Sequence, residues 1–85
     1  MSYNGYENYQ TWAVALWLDN DESTSELISD IIKRARSDYD AADQLRDLIE
    51  EMNPLADQAS MFTDILNSAL SDVKYIEIIK SHKEE

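Results

Sequence analysis

Asn8-Tyr9-Gln10-Thr11-Trp12-Ala13-Val14-Ala15-Leu16-Trp17-Leu18-Asp19-Asn20-Asp21-Glu22 holds both tryptophans and the longest unbroken apolar run of the chain, Trp12 to Leu18. Aromatic side chains bring the largest area to be buried, so the other segments are expected to close over this one. Asn8 offers a side-chain acceptor to the free N–H groups of a first helical turn, and Tyr9 to Leu18 follows as a helix. Tyr9, Ala13, Leu16 and Trp17 mark one face, while Trp12, Val14, Ala15 and Leu18 cover much of the rest. A helix apolar nearly all round belongs at the centre of a fold. Asp19-Asn20-Asp21 ends it, because these side chains prefer to bond their own backbone.

On the C-terminal side, Ser23 to Glu26 reads as a capping box that opens a second helix running to about Arg36. Leu27, Ile28, Ile31, Ile32 and Ala35 fall on a single stripe of it. Lys33, Arg34 and Arg36 gather at its end, where positive charge complements the helix dipole; no phosphate site is needed to account for them. Ser37 or Asp38 caps a third helix to about Met52, with Ala41, Ala42, Leu45, Leu48, Ile49 and Met52 inward. Asn53-Pro54 stops that helix, since the residue before proline is pushed out of helical geometry. A fourth runs from about Leu55 to Leu70 through Ala59, Phe62, Ile65, Leu66 and Ala69. After Ser71-Asp72 a short last helix turns Val73, Ile76 and Ile79 inward. Lys74 to Ile79 has strand-like composition as well, but a lone strand has no partner.

N-terminal to the central stretch, Asn4-Gly5 is a turn dipeptide. Tyr6 either folds back onto the aromatic core or, with Tyr3 and Tyr9, presents a tyrosine cluster to a partner. The expected fold is all-α, a compact bundle of four to five short helices in a single domain spanning residues 1–85, with 1–7 and 81–85 as loose ends. Its expected centre is Trp12, Leu16, Trp17, Ile28, Ile32, Leu45, Ile49, Phe62 and Leu66.

The totals agree with that. A chain of 85 residues has room for one core of modest size. One glycine and one proline are too few for the hairpins of a sheet-rich fold. Eighteen acidic against seven basic side chains give a net charge of −11, which disfavours direct binding to nucleic acid or to an anionic membrane. A protein partner with a basic or nucleic-acid-binding surface is favoured instead. With no cysteine there is neither a disulfide nor a thiolate metal site, as suits a reducing compartment. The opening MSYNGYENYQ lacks a signal peptide's basic and apolar regions, and no stretch is long and apolar enough to span a bilayer. A cytoplasmic location is expected.

Little in the chain points to catalysis. Asp19, Asp21, Ser23 and Ser25 imitate the odd-numbered ligands of an EF-hand calcium loop. Thr24, Glu26 and Asp30 then stand where that loop needs glycine, an apolar residue and glutamate, so no calcium site is expected. His82, the single histidine, lies in a charged tail with no nucleophile at hand. One glycine cannot make a phosphate-cradling loop. The sequence therefore reads as a non-enzymatic protein with no catalytic, metal or cofactor site.

What it does offer is charge in rows. Asp40, Asp43, Asp47 and Glu50 recur at spacings of three, four and three on the outer face of the third helix, with Glu51 beside them. Such spacing stacks carboxylates along one side, roughly 5 Å apart along the axis. Arg46, four residues before Glu50, relieves part of the repulsion. Asp19, Asp21 and Glu22 form a second, shorter group.

Asn8 to Asp21 resembles the opening motif of small uncharacterised proteins carried by bacteriophages, plasmids and other mobile elements, Asn-Tyr-Glu-Thr-Trp-x-Val-x-Leu-Trp-x-Asp-Asn with small variations. Leu70 to Ile79 is similar to their closing segment, which commonly reads Val-Asp-Trp-x-Glu-Ile-Ala. Here Lys74 replaces the capping acid and Tyr75 the tryptophan. The resemblance implies a mobile-element setting and brings no activity with it.

Together these features lead to an expected function: an acidic protein-binding module of a mobile element. In its sharper form it is a DNA mimic that inhibits a host defence nuclease through Asp40, Asp43, Asp47, Glu50 and Glu51, joined by Asp19, Asp21 and Glu22. The alternative is a structural or self-associating protein, monomer or homodimer, whose acidity only provides solubility.

Overall fold

The structure, a computed structural model, describes residues 3–55 and 57–84. Five helices form among them: α1 Tyr9–Asp19, α2 Glu22–Arg34, α3 Asp38–Met52, α4 Met61–Ser71 and α5 Tyr75–Lys83. The all-α expectation holds. Among the described residues the nearest thing to a strand is a single bridge pairing Tyr3 with Tyr6. It closes over Asn4 and Gly5, whose φ angles of 49° and 96° are the left-handed pair that a tight hairpin turn requires. No helix of the described residues is long and apolar enough to cross a membrane.

Side-chain oxygens set the helix starts. Asn8 caps α1, Ser37 caps α3 and Ser60 caps α4, each accepting from the N–H three residues on. The second helix starts differently from the expected box. Asp21 is its cap, accepting from both the backbone N–H and the hydroxyl of Ser23, at 2.9 and 2.7 Å. Thr24 then donates its hydroxyl back to the carbonyl of Leu18 at 2.7 Å, which holds the α1–α2 turn tight. The helix ends at Arg34, with Ala35 already extended, so Arg36 lies outside it.

The core is the packing of α5 on α3, closed on one side by α2 and completed by α1. Ile28, Leu45 and Ile79 are fully buried at its centre, surrounded by Ala15, Leu18, Ile31, Ala41, Val73, Tyr75 and Ile78. Ile32 and Ile49, expected at the centre, are half-buried around it, and Leu66, also expected there, is half-buried outside that cluster.

The tryptophans are the main correction. Trp17 is 76 % exposed, Leu16 is also exposed, and Trp12 is half-buried, edge-on to Tyr9 with ring centroids 5.6 Å apart. At about 100° per residue, Thr11, Ala15 and Leu18 share one narrow sector of α1, and that sector faces the core. The stripe Tyr9, Ala13, Leu16, Trp17 points the other way. Thr11 explains the choice. Its hydroxyl donates to Asn8 Oδ1 at 2.6 Å and accepts the N–H of Lys74 at 2.8 Å. Lys74 cannot cap α5 with its own side chain, so α1 supplies the acceptor that this helix start lacks.

The fourth helix departs from expectation in the same direction. It begins at Met61, because Ser60 provides the cap and the side chain of Asn53 holds a turn by accepting from the N–H of Leu55 at 2.9 Å. Phe62 is 66 % and Ile65 61 % exposed, Met61 is exposed as well, and the residue α4 buries is Thr63. The helix packs extensively against no other helix among the described residues.

Where loose ends were expected, the described terminal residues clasp each other. Tyr6 folds back on the core and donates its hydroxyl to Ser81 Oγ at 3.0 Å, and the N–H of Glu7 donates to Glu77 at 2.8 Å. Asn8 Nδ2 donates to the carbonyl of Asp72 at 2.7 Å. The last helix extends through the supposed tail, since Tyr75, Ile78 and Ile79 form its buried i, i+3, i+4 stripe and carry its register onward. Lys83 reaches Asp38 at 2.7 Å, and His82 Nε2 lies 3.0 Å from Ser29 Oγ.

Candidate functional site

The outer face of α3 carries the acidic row, but its members differ in what they are already doing. Asp40 is half-buried and belongs to the start of its helix. Its N–H donates to Ser37 Oγ at 3.1 Å, while its carboxylate accepts from the N–H of Arg36 at 3.0 Å and from Gln44 Nε2 at 3.2 Å. This is a variant of a capping box, in which the returning aspartate reaches the N–H one residue before the cap. Asp43, Asp47, Glu50 and Glu51 are exposed and make up the accessible part of the row.

Arg46 sits among them and turns towards the N-terminal side. Its guanidinium lies 3.6 Å from Asp43 and 4.0 Å from Asp47, rather than on Glu50 as the i+4 spacing suggested. Both pairs are solvent-exposed and add little to stability. Locally they cancel charge at the first half of the row and leave Glu50 and Glu51 as its more negative end.

The second group does not act as a unit either. Asp21 is committed to capping α2, and its carboxyl is held below the ordinary value of 3.8 by the hydroxyl of Ser23 first and the N–H of Ser23 second. Asp19 and Glu22 instead line a shallow depression with Glu26, Asp30 and Lys33 along the outer side of α2. Glu22, Glu26 and Asp30 recur every four residues, one above the other. The i+4 spacing is visible in the sequence, but there Glu26 also fits a capping box and Asp30 the last position of a calcium loop, readings that hide the row.

The cap on α2 has a consequence in acid. A carboxyl with a depressed folded-state pKa contributes stability that is complete above its unfolded value, near 3.8, and is lost as the pH falls through that value towards the folded one. Urea midpoints of the wild type and Asp21→Asn, compared at about pH 6 and about pH 3, should diverge. The wild type is expected to lose more on acidification, because asparagine caps without titrating. Parallel losses would show that the Ser23 contacts do not hold the proton off.

Two further recesses lie near the row. Between α3, the end of α4 and the start of α5, a cavity of about 620 Å³ is bounded by Arg46, Glu50, Asn53, Asn67 and Tyr75. The phenol of Tyr75 is pushed up from 10.0 by burial and then by the charge of Glu50, with Arg46 opposing; it stays neutral at physiological pH. An almost wholly apolar groove of about 480 Å³ runs between α1, the last turn of α3 and α4, lined by Val14, Trp17, Ile49, Met52, Leu66 and Leu70. Sequence reading missed this groove because it placed Trp17 and Met52 inside the core. Among the described residues no three His, Asp or Glu side chains converge on a possible metal position.

Compared with known proteins, the chain is matched along residues 1–85 by the model of a family of unknown function, DUF7249. No curated protein and no solved structure matches it.

Proposed function

The chain belongs to this family of unknown function, and from that premise we propose that it is a non-enzymatic, acidic protein-binding module whose partner is a protein with a basic, nucleic-acid-binding surface. The supporting observation is the exposed row Asp43, Asp47, Glu50 and Glu51 on one face of a rigidly packed helix, in a chain of net charge −11. Carboxylates at successive helical turns offer a cationic groove what a phosphate backbone offers it, regularly spaced negative charge on a firm support. A DNA mimic acting on a host defence nuclease is the specific form of this reading. The mobile-element setting comes from the resemblance of Asn8–Asp21 to phage- and plasmid-borne proteins.

The test is capture on the immobilised protein, with duplex DNA as competitor and rising salt as eluent. A nucleic-acid-binding protein held by the wild type and displaced by DNA is expected. Its retention should fall at least about 10-fold in the Asp47→Lys, Glu50→Lys, Glu51→Lys variant, since each contact is screened and reversed like a phosphate contact. Equal retention by the variant would sink the mimic.

A second reading rests on a separate observation, the exposed apolar side chains Leu16 and Trp17 on α1 and Phe62 and Ile65 on α4. Exposed apolar surface of this kind marks association, and a homodimer would cover it while acidity kept the protein soluble. Light scattering separates the two: one chain mass at micromolar concentration opposes self-association, and a salt-stable dimer supports it.

A further inference from the structure

We infer that the apolar groove between α1, the last turn of α3 and α4 is the docking site for a basic amphipathic helix of the partner. This rests on the reading of a basic protein partner and gives it a second contact surface, apolar and adjoining the α3 row at Glu50 and Glu51. The groove's wall is unfinished in a definite way. On α4 the apolar residues Met61, Phe62, Ile65, Leu66, Ala69 and Leu70 span about half of the helix circumference at 100° per residue. Leu66 and Leu70 form the groove's α4 wall and are half-buried, while Met61, Phe62 and Ile65 lie outside its lining and are bare. Across the groove stands Trp17, the most exposed large apolar side chain of the molecule's described residues. Two apolar helix faces with an open trough between them are what a third apolar stripe packs into.

Charge decides what that third element is. No lysine or arginine occurs among residues 1–32 or 47–73, and these two stretches contain every residue lining the groove together with six acidic side chains each. Asp19, Glu50, Glu51, Asp64 and Asp72 are all exposed, and each lies within two residues of a lining position. A second copy of this chain would bring a net charge of −11 and an equally acidic rim against it, whereas a helix with lysines flanking an apolar stripe meets complementary charge on both sides. Trp17, Met52 and Leu66, which line the groove, then serve as the anchors, and the carboxylates orient the helix and speed its approach.

The probe is a synthetic leucine–lysine peptide of about 18 residues, long enough to form a helix, with leucines at i, i+3, i+4 and i+7. A scrambled peptide of the same composition carries the same charge without the stripe. Binding to the unmodified protein is followed by the NMR signal of the Trp17 indole N–H, assigned with Trp17→Phe. The striped peptide is expected to move that signal and to bind at least about 10-fold more tightly than the scrambled one, with a dissociation constant on the order of micromolar. Met52→Glu, at an exposed position that lines the groove, should weaken it by a further 10-fold or so, with circular dichroism expected to show the fold intact. If both peptides bind alike and the indole signal stays still, charge alone recruits the partner: the groove is overturned and the acidic module stands. Binding of neither peptide overturns both. A dimer of the protein alone with the Trp17 signal already shifted overturns the groove proposal in favour of self-association.

Discussion

Leu45→Ala is expected to lower the unfolding free energy by about 3 kcal/mol, and Trp17→Ala by less than about 1 kcal/mol. Leu45 is fully buried between α3 and its neighbours, so truncation removes its transfer energy and leaves a cavity, a loss of roughly 2–5 kcal/mol in comparable cores. At about 0.05–0.15 kcal/mol per residue, natural domains of this length have only about 4–13 kcal/mol in total. A fall of about 15 °C in the thermal midpoint should accompany the leucine change. Tryptophan truncation in a core costs about 3–5 kcal/mol, but Trp17 is largely in water and has little burial to lose. Urea denaturation of the two variants ranks them directly. The reverse order would place Trp17 in the core and refute the orientation of α1.

Thr11→Val should cost about 2 kcal/mol although it changes neither size nor shape. The hydroxyl is fully buried and couples two helix starts, donating to Asn8 and accepting from the Lys74 N–H. Valine leaves that N–H without its acceptor, and an unsatisfied buried donor costs about 1–3 kcal/mol. Thr11→Ser retains the hydroxyl and is expected to lose only the methyl contribution, about 0.8 kcal/mol. Hydrogen exchange at the Lys74 amide adds a local readout, faster in the valine variant than in the serine variant beyond what global stability explains. Equal protection in both would mean that the bond to Thr11 does not hold the start of α5.

The parts of the fold legible in the sequence were those decided by neighbours along the chain. Asn8 capped α1 as expected, Ser37 was one of two caps foreseen for α3, and Met52 closed α3 as expected. Ile28 and Leu45 were correctly placed in the core, because α2 and α3 each have one apolar stripe and one polar face. The first helix has no such asymmetry. When every face is apolar, periodicity cannot choose the inner one, and size misleads by favouring tryptophan. A polar residue, Thr11, was chosen through a hydrogen bond to a backbone group 63 residues away, which no local pattern contains. Phe62, expected at the centre, is exposed for a related reason: a helix here is legible, but whether enough protein surface remains to cover its apolar residues depends on how the other helices pack. Along the acidic row, spacing correctly put Asp43, Asp47, Glu50 and Glu51 on one exposed face. It could not show that Asp40 was engaged in capping or that Arg46 would turn towards Asp43.

The dominance of the α3–α5 contact also bears on how the protein is made. Synthesis releases the chain from its N-terminus, so α1, α2 and α3 emerge while the helix that covers α3 is still being assembled. Until Ile78 and Ile79 have left the ribosome, α3 lacks its main packing partner, and the clasp from Tyr6 to Ser81 spans 75 residues. Contacts so distant along the chain form late, after the entropy of closing the loop has been overcome. Folding of this small bundle is therefore completed by its last helix, and a ribosome-bound chain lacking that helix exposes the apolar faces of α2 and α3 to whatever lies nearby.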